Sequence, residues 1–356
     1  MKQPSEVKRY LAHSDPFVRN FALRYFEEMA SVEPDLVPRV LETLPTVDQR
    51  EQRLMLSQCR DFTQTPASME QLADIIVREP QLRDLAESLF LSASPMLLAA
   101  YSECFSMLSH RGGRTARQRM QLLKKDSREL LERLERYAVQ GEQSWESSAH
   151  ADAMYLLREL MAREDAPVDV LRSWALDRSL VEEVTYREIL GVAAARYGHF
   201  SDLSALFLDN FTVDDELLNE ETERTLTALA SSDLIKIIVR RYPDEHWHVR
   251  LWIGDIVARF KDPLSEQGIL ALLEDESDPA LRLDLAMGLC DLVSLDSMDA
   301  VKSVIAEDFR PDVVDLMEAA YANLVMHGVH DPEMGRWRME VQAVNDRMLR
   351  SLEEWD

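Results

Sequence analysis

The chain has 356 residues, of which 46% are hydrophobic, so it can bury a sizeable core and global disorder is disfavoured. Only 10 residues are glycine and 14 are proline, which disfavours turn-rich β-sandwiches and barrels and folds with a glycine-rich dinucleotide loop. The formal net charge is -25. Residues 1–140 hold 20 basic and 20 acidic side chains, so the whole acidic excess lies in residues 141–356. This excess disfavours general nucleic-acid binding by the later part of the chain.

Proline marks the beginning of several predicted helices. An acidic residue or serine precedes each of these prolines; Asp and Ser can cap the first free amides of a helix. Proline at the first helical position loses no intrahelical hydrogen bond. The pairs begin at Asp15, Glu79, Ser94, Asp262, Asp278 and Asp331. So many start signals in one chain predict many short helices.

Two of these segments are clearly amphipathic. After Asp15, apolar residues recur at helical spacing from Phe17 to Met29, and after Asp278 a stripe of leucines runs from Leu281 to Leu292. Helices of this length are not stable alone in water. We therefore expect their apolar faces to pack on neighbouring helices.

A short pattern recurs along the chain. A Pro-x-Val/Leu-Arg run places Arg19, Arg83 and Arg282 at equivalent positions, and Arg250 lies 32 residues before Arg282. The first two arginines are 64 residues apart, which is twice 32. A repeat of this length, built as a helical pair, is typical of a solenoid.

The stretches Leu11–Met29 and Leu272–Val293 resemble HEAT repeats, in which an Asp-Pro-x-Val-Arg run opens the second helix of each pair. The resemblance implies an all-α fold, a right-handed α-α superhelix of about 9–11 helical pairs. It also implies a structural hydrogen-bond ladder between repeats. The residues assigned to this ladder are Asp15, Arg19, Arg83, Arg250, Asp278 and Arg282.

Residues 111–150 break the repeat pattern. We expect a basic, irregular insertion or junction here, between N-terminal HEAT-like repeats in residues 1–110 and acidic C-terminal HEAT-like repeats in residues 151–356. Within it, the sequence predicts one long helix over Lys124–Tyr137 and a polar loop over Gly141–Ser148.

A basic run opens this middle segment, with Gly112 and Gly113 expected to make its start flexible. It could contact an anion, a nucleic acid or an acidic partner, or it could be a solvated helix face paired with the chain's own acids. No aromatic residue interleaves the run to stack on bases. The candidate binding residues are Arg111, Arg114, Arg117, Arg119, Lys124 and Lys125.

Two later segments stand out. The acidic stretch Asp209–Glu223 lacks the glycine-bearing register of a calcium loop, and we interpret it as a capped helix start with a solvated face. Tryptophans and histidines cluster over Arg240–Trp252, either as a partner-binding patch or as filling between repeats. The candidate residues of this patch are Arg240, Arg241, Tyr242, His246, Trp247, His248 and Trp252.

No motif of a known catalytic class occurs, so we predict no catalytic residue, no cofactor and no metal site. A non-catalytic scaffold or adaptor is the favoured function, with the acidic surface engaging a basic segment of a partner protein. The alternatives are a HEAT-like DNA glycosylase, a bilin-lyase-type enzyme, and a chaperone or immunity protein for one cognate partner.

The remaining sequence features concern location. Cys59, Cys104 and Cys290 are widely spaced, which predicts buried free thiols in a reducing compartment. The first residues lack the apolar core of a signal peptide, and no apolar run approaches the length of a membrane span. We therefore expect a cytoplasmic protein without membrane contact.

Overall fold

The computed structural model describes residues 1–29, 33–141, 147–176, 185–198, 200–211, 215–307 and 313–353. Within these ranges the chain forms α-helices and short 3-10 turns, and no residue there is assigned to a β-strand. The all-α class predicted from composition and helix-start signals is therefore confirmed. None of the described helices combines the length and apolar character that crossing a bilayer needs.

The chain forms two compact units. The terminal unit combines Met1–Met29 with Ser231–Asp356, and the central unit is Ala30–Ala230. The boundaries predicted at residues 110 and 150 follow changes in composition, whereas these units follow contacts, so the two divisions differ.

The terminal unit begins with α1 (Pro4–Val7) and α2 (Pro16–Glu28). The central unit contains α3 (Leu36–Thr43), α4 (Gln49–Gln58), α5 (Pro66–Arg78), α6 (Arg83–Leu91), α7 (Pro95–Ala100), α8 (His110–Met120), α9 (Ser127–Gly141), α10 (Ser147–Met161), α11 (Val168–Leu176), α12 (Tyr186–Gly198), α13 (Ser204–Phe207) and α14 (Glu216–Ala228). The terminal unit resumes with α15 (Ser232–Arg241), α16 (Trp247–Arg259), α17 (Pro263–Asp275), α18 (Pro279–Asp291), α19 (Met298–Glu307), α20 (Val313–Met326) and α21 (Met334–Glu353).

Several helices begin where the proline pairs predict. Asp15, Asp262 and Asp278 each accept a backbone amide of their own first turn, at distances of 3.1, 2.7 and 2.9 Å. Two pairs behave differently: α6 begins at Arg83 rather than Pro80, and α21 begins at Met334 rather than Pro332. At Asp15, Asp262 and Asp278, the helix therefore begins at the proline that follows the capping aspartate.

The second helices of successive pairs form a row in the terminal unit. Helix α16 contacts α18, α18 contacts α20, and α20 contacts α2, so the N-terminal helix occupies the last place in the row. The amide of Lys2 donates to the Val293 carbonyl at 2.8 Å, and the Tyr10 hydroxyl donates to the Met326 carbonyl at 2.5 Å. The N-terminal segment therefore packs against α20 and the end of α18, far from it in sequence.

Hydrogen bonds at a recurring spacing link α12 to α14 and α18 to α20. In the central unit the Thr225 hydroxyl donates to the Val192 carbonyl at 2.9 Å, and in the terminal unit the Asn323 amide donates to the Cys290 carbonyl at 3.1 Å. Each pair is separated by 33 residues, close to the 32-residue spacing of the arginine pattern. All four residues are buried, so these bonds satisfy polar groups that water does not reach.

Residues 111–120 and 127–141 are α-helical and a 3-10 turn covers Gln121–Lys124, so the segment predicted to be irregular is mostly regular where the structure describes it. Gly112 and Gly113 lie buried inside α8. The Glu87 carboxylate packs so closely on Gly112 that a side chain at this position would overlap it. Glu87 accepts the amide of Ser109, the N-cap of α8, at 2.7 Å. The glycines thus serve close packing, and the prediction of a flexible start is wrong. Residues 142–146 of the predicted polar loop lie outside the described residues.

The three cysteines form no disulfide. Cys59 and Cys290 are buried, and burial raises the pKa of the Cys290 thiol. Cys104 is only partly buried, which differs from the expectation that all three are buried.

Candidate functional site

Charged side chains from four neighbouring helices meet on the terminal unit. Arg24 and Glu28 are one turn apart on α2, and Asp255 and Arg259 are one turn apart on α16, so each pair projects from one side of its helix. We name the whole set the charged cluster. Its members are Arg24, Glu28, Asp255, Arg259, Lys261, Asp291 and Glu318.

Ion pairs join α2 to α18 at the centre of the cluster. The Arg24 guanidinium lies 3.1 Å from the Asp291 carboxylate and 3.3 Å from Glu28. Lys261 follows α16 at a positive φ of 47°, and its side chain is 5% exposed. Its ammonium donates to the Asp291 carbonyl at 2.8 Å and lies 4.9 Å from the centre of the Tyr25 ring. The cations are therefore held in fixed places between the helices.

The carboxyl groups outnumber the cations, and the surrounding protein limits their hydration. Burial and repulsion from Asp291 raise the pKa of Glu28 to about 7, although Lys261 and Arg24 oppose the shift. Burial raises the pKa of Glu318 to about 7, Arg24 opposes this shift, and the charges of Asp315 and Asp15 add to it. Glu28 and Asp291 cannot both be ionised without cost in such a place.

Asp255 differs from the other carboxyls in its exposure. Water reaches its side chain, yet the neighbouring protein still removes part of its hydration and raises its pKa to about 6. Arg259 opposes this shift, and the negative charge of Asp291 adds to it. Asp255 is thus the member of the cluster that a ligand from solvent can reach most directly.

This arrangement favours an incoming positive charge. A cation placed beside these carboxyls would stabilise their ionised forms and be attracted more strongly than at an ordinary surface site, because local hydration is reduced. Within the described ranges, no group of three or more His, Cys, Asp or Glu side chains has the geometry to hold a metal ion.

The raised pKa of Glu318 makes a testable prediction about stability. Its pKa in the folded protein is about 7, above the ordinary value, so stability falls as pH rises from about 4.5 through 7. Glu318→Gln removes this loss. We therefore expect the free energy of unfolding of the variant, relative to that of the unmodified chain, to be higher at pH 8 than at pH 5. Urea unfolding at both pH values measures the difference, with the partly exposed Glu340→Gln as the control. An equal gain in the control would contradict the prediction.

The predicted Trp-rich patch is only partly a surface. Tyr242 is 3% exposed, and its hydroxyl donates to Glu276 at 3.0 Å. Arg250 donates to the same carboxylate oxygen at 2.8 Å. Tyr242 is therefore not available to a partner. Of the other candidates, Arg240 and His246 are exposed, while Arg241, Trp247, His248 and Trp252 are half-buried.

Arg241 pairs with Glu245 of its own unit, with a guanidinium-to-carboxylate distance of 2.7 Å. The rings of His246 and His248 lie edge to face with centroids 5.6 Å apart, and Trp247 packs edge to face on His248. These contacts hold the segment together locally and leave little of it free for a partner.

The residues assigned to the repeat ladder make contacts of two kinds. Asp15 and Asp278 cap their own helices, and Asp15 also accepts the Tyr321 hydroxyl at 2.7 Å. Arg19 donates to the His13 carbonyl just before its own helix. The other three arginines reach the segment that follows: Arg83 donates to the Met107 carbonyl, Arg250 to Glu276, and Arg282 to Glu307.

The basic run is divided between exposed and engaged side chains. Arg119 donates to the Leu91 carbonyl, lies 3.7 Å from Asp152 and stacks over the Tyr155 ring, while Lys125 pairs with Glu129. Arg119 and Lys125 are thus occupied within the protein. The others are exposed: Arg111, Arg114, Arg117 and Lys124.

A buried ionic cluster in the central unit was missed by the sequence interpretation. Asp215 does cap α14, as expected, and accepts the Leu218 amide at 2.8 Å. Glu221, however, is 1% exposed rather than solvated. Its carboxylate lies 2.9 Å from Arg224 and 3.5 Å from the His150 ring nitrogen. The predicted solvated face of Asp209–Glu223 is therefore wrong at Glu221.

The surroundings of Glu221 favour its ionised form. Burial alone would raise its pKa, but the hydrogen bond from His150 and the charges of Arg196 and Arg224 outweigh burial and lower the pKa to about 2. The His150 ring also shares a hydrogen bond with the Tyr186 hydroxyl at 2.8 Å. The cluster is an internal ion pair network around a buried carboxylate and not an open site, although Glu221 Oε2 has only the Arg196 guanidinium 3.7 Å away and accepts no hydrogen bond from the described residues.

Neither cluster carries a contiguous sequence pattern. The one local sign was Asp291, an acidic residue between Cys290 and Leu292 in an otherwise apolar run. Its partner Arg24 is 267 residues away, so no spacing rule could pair them. No family model, no curated protein and no solved structure matches this chain.

Proposed function

We propose that the chain is a non-catalytic, HEAT-like helical-repeat scaffold that binds a basic segment of a partner protein on the charged cluster. The observation that carries the proposal is the excess of carboxyl groups over cations where α2, α16, α18 and α20 meet. Residues 231–356 hold 13 basic and 26 acidic side chains, so the wider surface also attracts a basic segment.

The row of inner helices and the links 33 residues apart support a repeat architecture. Right-handed superhelical stacking of about 9–11 pairs remains part of the proposal, as does the HEAT-like assignment. Such proteins use the surface of their inner helices for extended partner segments. The charged cluster lies on helices of that row in the terminal unit.

A lysine or arginine side chain fits this site chemically. Asp255 offers a carboxylate that solvent reaches, and Glu318 and Glu28 lie on the neighbouring helices α20 and α2. Their raised pKa values mean that an arriving cation would release protons near neutral pH. Binding should therefore strengthen as pH rises from about 5.5 to 8 and weaken with salt, which screens the attraction.

We test the proposal with a fluorescein-labelled peptide of alternating arginine and serine, titrated into the full chain and followed by anisotropy. The double variant Asp255→Asn with Glu318→Gln should weaken binding about tenfold, which corresponds to about 1.4 kcal/mol. The unmodified chain should bind more tightly at pH 8 than at pH 5.5, and the double variant should lose much of that dependence.

The matched control removes two exposed carboxylates elsewhere in the terminal unit, with Asp233→Asn and Asp296→Asn. It changes the net charge by the same amount, so it reports the contribution of charge alone. Equal weakening by both double variants would show that the peptide follows net charge and does not use the charged cluster.

A further inference from the structure

A second surface, of opposite charge, lies on the central unit. We name it the basic patch and define it by the four exposed side chains Arg111, Arg114, Arg117 and Lys124. The first three lie on α8, and Lys124 lies on the 3-10 turn Gln121–Lys124 that follows it. Across the described ranges, no carboxylate forms an ion pair with any of these four side chains.

Neighbouring cations behave differently. Arg119 pairs with Asp152, Lys125 with Glu129, and Arg128 with Glu132. The chain holds 65 acidic against 40 basic side chains, so its net charge is strongly negative. Four neighbouring cations without an ion pair therefore form a local positive surface on an acidic chain.

The geometry of α8 places its arginines along one side. Residues three apart on a helix are neighbours on its surface, so Arg111, Arg114 and Arg117 follow one another along α8. The opposite side of α8 buries Gly112, Gly113 and Ala116, which fixes the helix on its unit. Arg111 and Arg117 are six residues apart, so the row of arginines spans about 9 Å along the helix axis.

The chemistry of the patch favours carboxylates. A guanidinium presents paired N–H donors that match the two oxygens of a carboxylate, and three of the four cations are arginines. Leu123 beside Lys124 is 49% exposed and adds an apolar contact at one end of the row. A ligand with several carboxylates and one aliphatic side chain complements both features.

We propose that the basic patch docks a short acidic segment of a partner protein. A nucleic acid longer than the patch would extend beyond it over a chain of net charge -25, where its phosphates are repelled. Residues 111–128 also contain no aromatic side chain on which a base could stack. A short acidic segment avoids both difficulties and does not depend on the charged cluster.

The test uses a fluorescein-labelled peptide of glutamates and leucines, with a matched peptide in which glutamine replaces glutamate. Anisotropy titration into the full chain at about 50 mM NaCl keeps electrostatic attraction measurable. The triple variant Arg111→Gln, Arg114→Gln, Arg117→Gln should weaken binding of the acidic peptide at least about tenfold. The glutamine peptide should not bind measurably.

The matched control is Arg39→Gln, Arg78→Gln, Arg128→Gln, which removes three exposed arginines that pair on their own helices. It should change affinity less than about twofold. All substituted side chains are exposed, and equal melting temperatures check that both variants stay folded. The arginine-serine peptide should bind the patch variant unchanged, which separates this surface from the charged cluster.

Three outcomes would overturn the proposal. The first is no binding of the acidic peptide to the unmodified chain, and the second is equal weakening by both triple variants. The third is tighter binding of a duplex of about 20 base pairs than of the peptide, lost in the patch variant, which would assign the patch to nucleic acid.

Discussion

Replacing Phe26 by alanine is expected to lower the free energy of unfolding of the terminal unit by about 3–5 kcal/mol. Phe26 is fully buried on α2 and packs edge to face with Tyr25. Truncation would leave a cavity and remove the transfer energy of the ring. Because α2 packs on α20, the loss should reach helices that lie nearly three hundred residues later in the sequence.

Hydrogen exchange followed by mass spectrometry measures where the loss appears. We expect faster exchange in α18 and α20 as well as in α2, since Arg24 of α2 also pairs with Asp291 of α18. Glu27→Ala, at an exposed position of α2, is the control and should change exchange little. Faster exchange confined to residues 1–29 would show that the N-terminal segment does not stabilise the row.

Glu221→Ala should destabilise the central unit by about 3–5 kcal/mol, because it leaves buried positive charge without its partner. Arg196 and Arg224 both lie close to this carboxylate, and Arg196 is largely buried. Loss of one partner of a buried pair costs more than the pair itself contributes. Hydrogen exchange in α12 and α14 reports the effect, and Glu220→Ala, at a partly exposed position, is the matched control.

The same site makes a prediction about acid. The pKa of Glu221 is about 2 in the folded chain, below the ordinary value of 4.5. The stability that Glu221 contributes is therefore fully present above about pH 4.5 and lost as pH falls towards 2. Glu221→Gln should flatten the stability of the central unit over this window. A full acid dependence in that variant would show that other groups cause it.

Local features of the sequence predict local structure. The caps at Asp15, Asp262 and Asp278 need only a carboxylate and the amides two or three residues later, so sequence neighbours determine them. At Glu79-Pro80 an acidic residue also precedes a proline, but the helix does not begin there. Helix α6 begins at Arg83, and its N-cap Leu82 forms no side-chain cap. The presence of helices could be predicted, while some of their first residues depend on packing.

The clusters could not be predicted because distant residues form them. Glu221 has the sequence neighbours of a solvated helix start, and its burial depends on His150 and Arg196 from other helices. The basic run illustrates the same point: Arg119 and Arg117 look equivalent in sequence, but only Arg119 meets Asp152 and Tyr155. Burial of a charge is a tertiary property, which helical periodicity alone does not encode.

The packing of α2 on α20 has a consequence for synthesis. The central unit is contiguous, so all its residues leave the ribosome before residue 231, whereas the terminal unit needs α20 and is incomplete until residue 326. At a translation rate of about 5–20 residues per second, α20 is synthesised roughly 15–60 s after α2. During that time α2 lacks its packing partner α20, and Phe17 lacks its edge-to-face contact with Tyr321. A nascent chain of this protein is therefore expected to bind holdase chaperones through its first thirty residues.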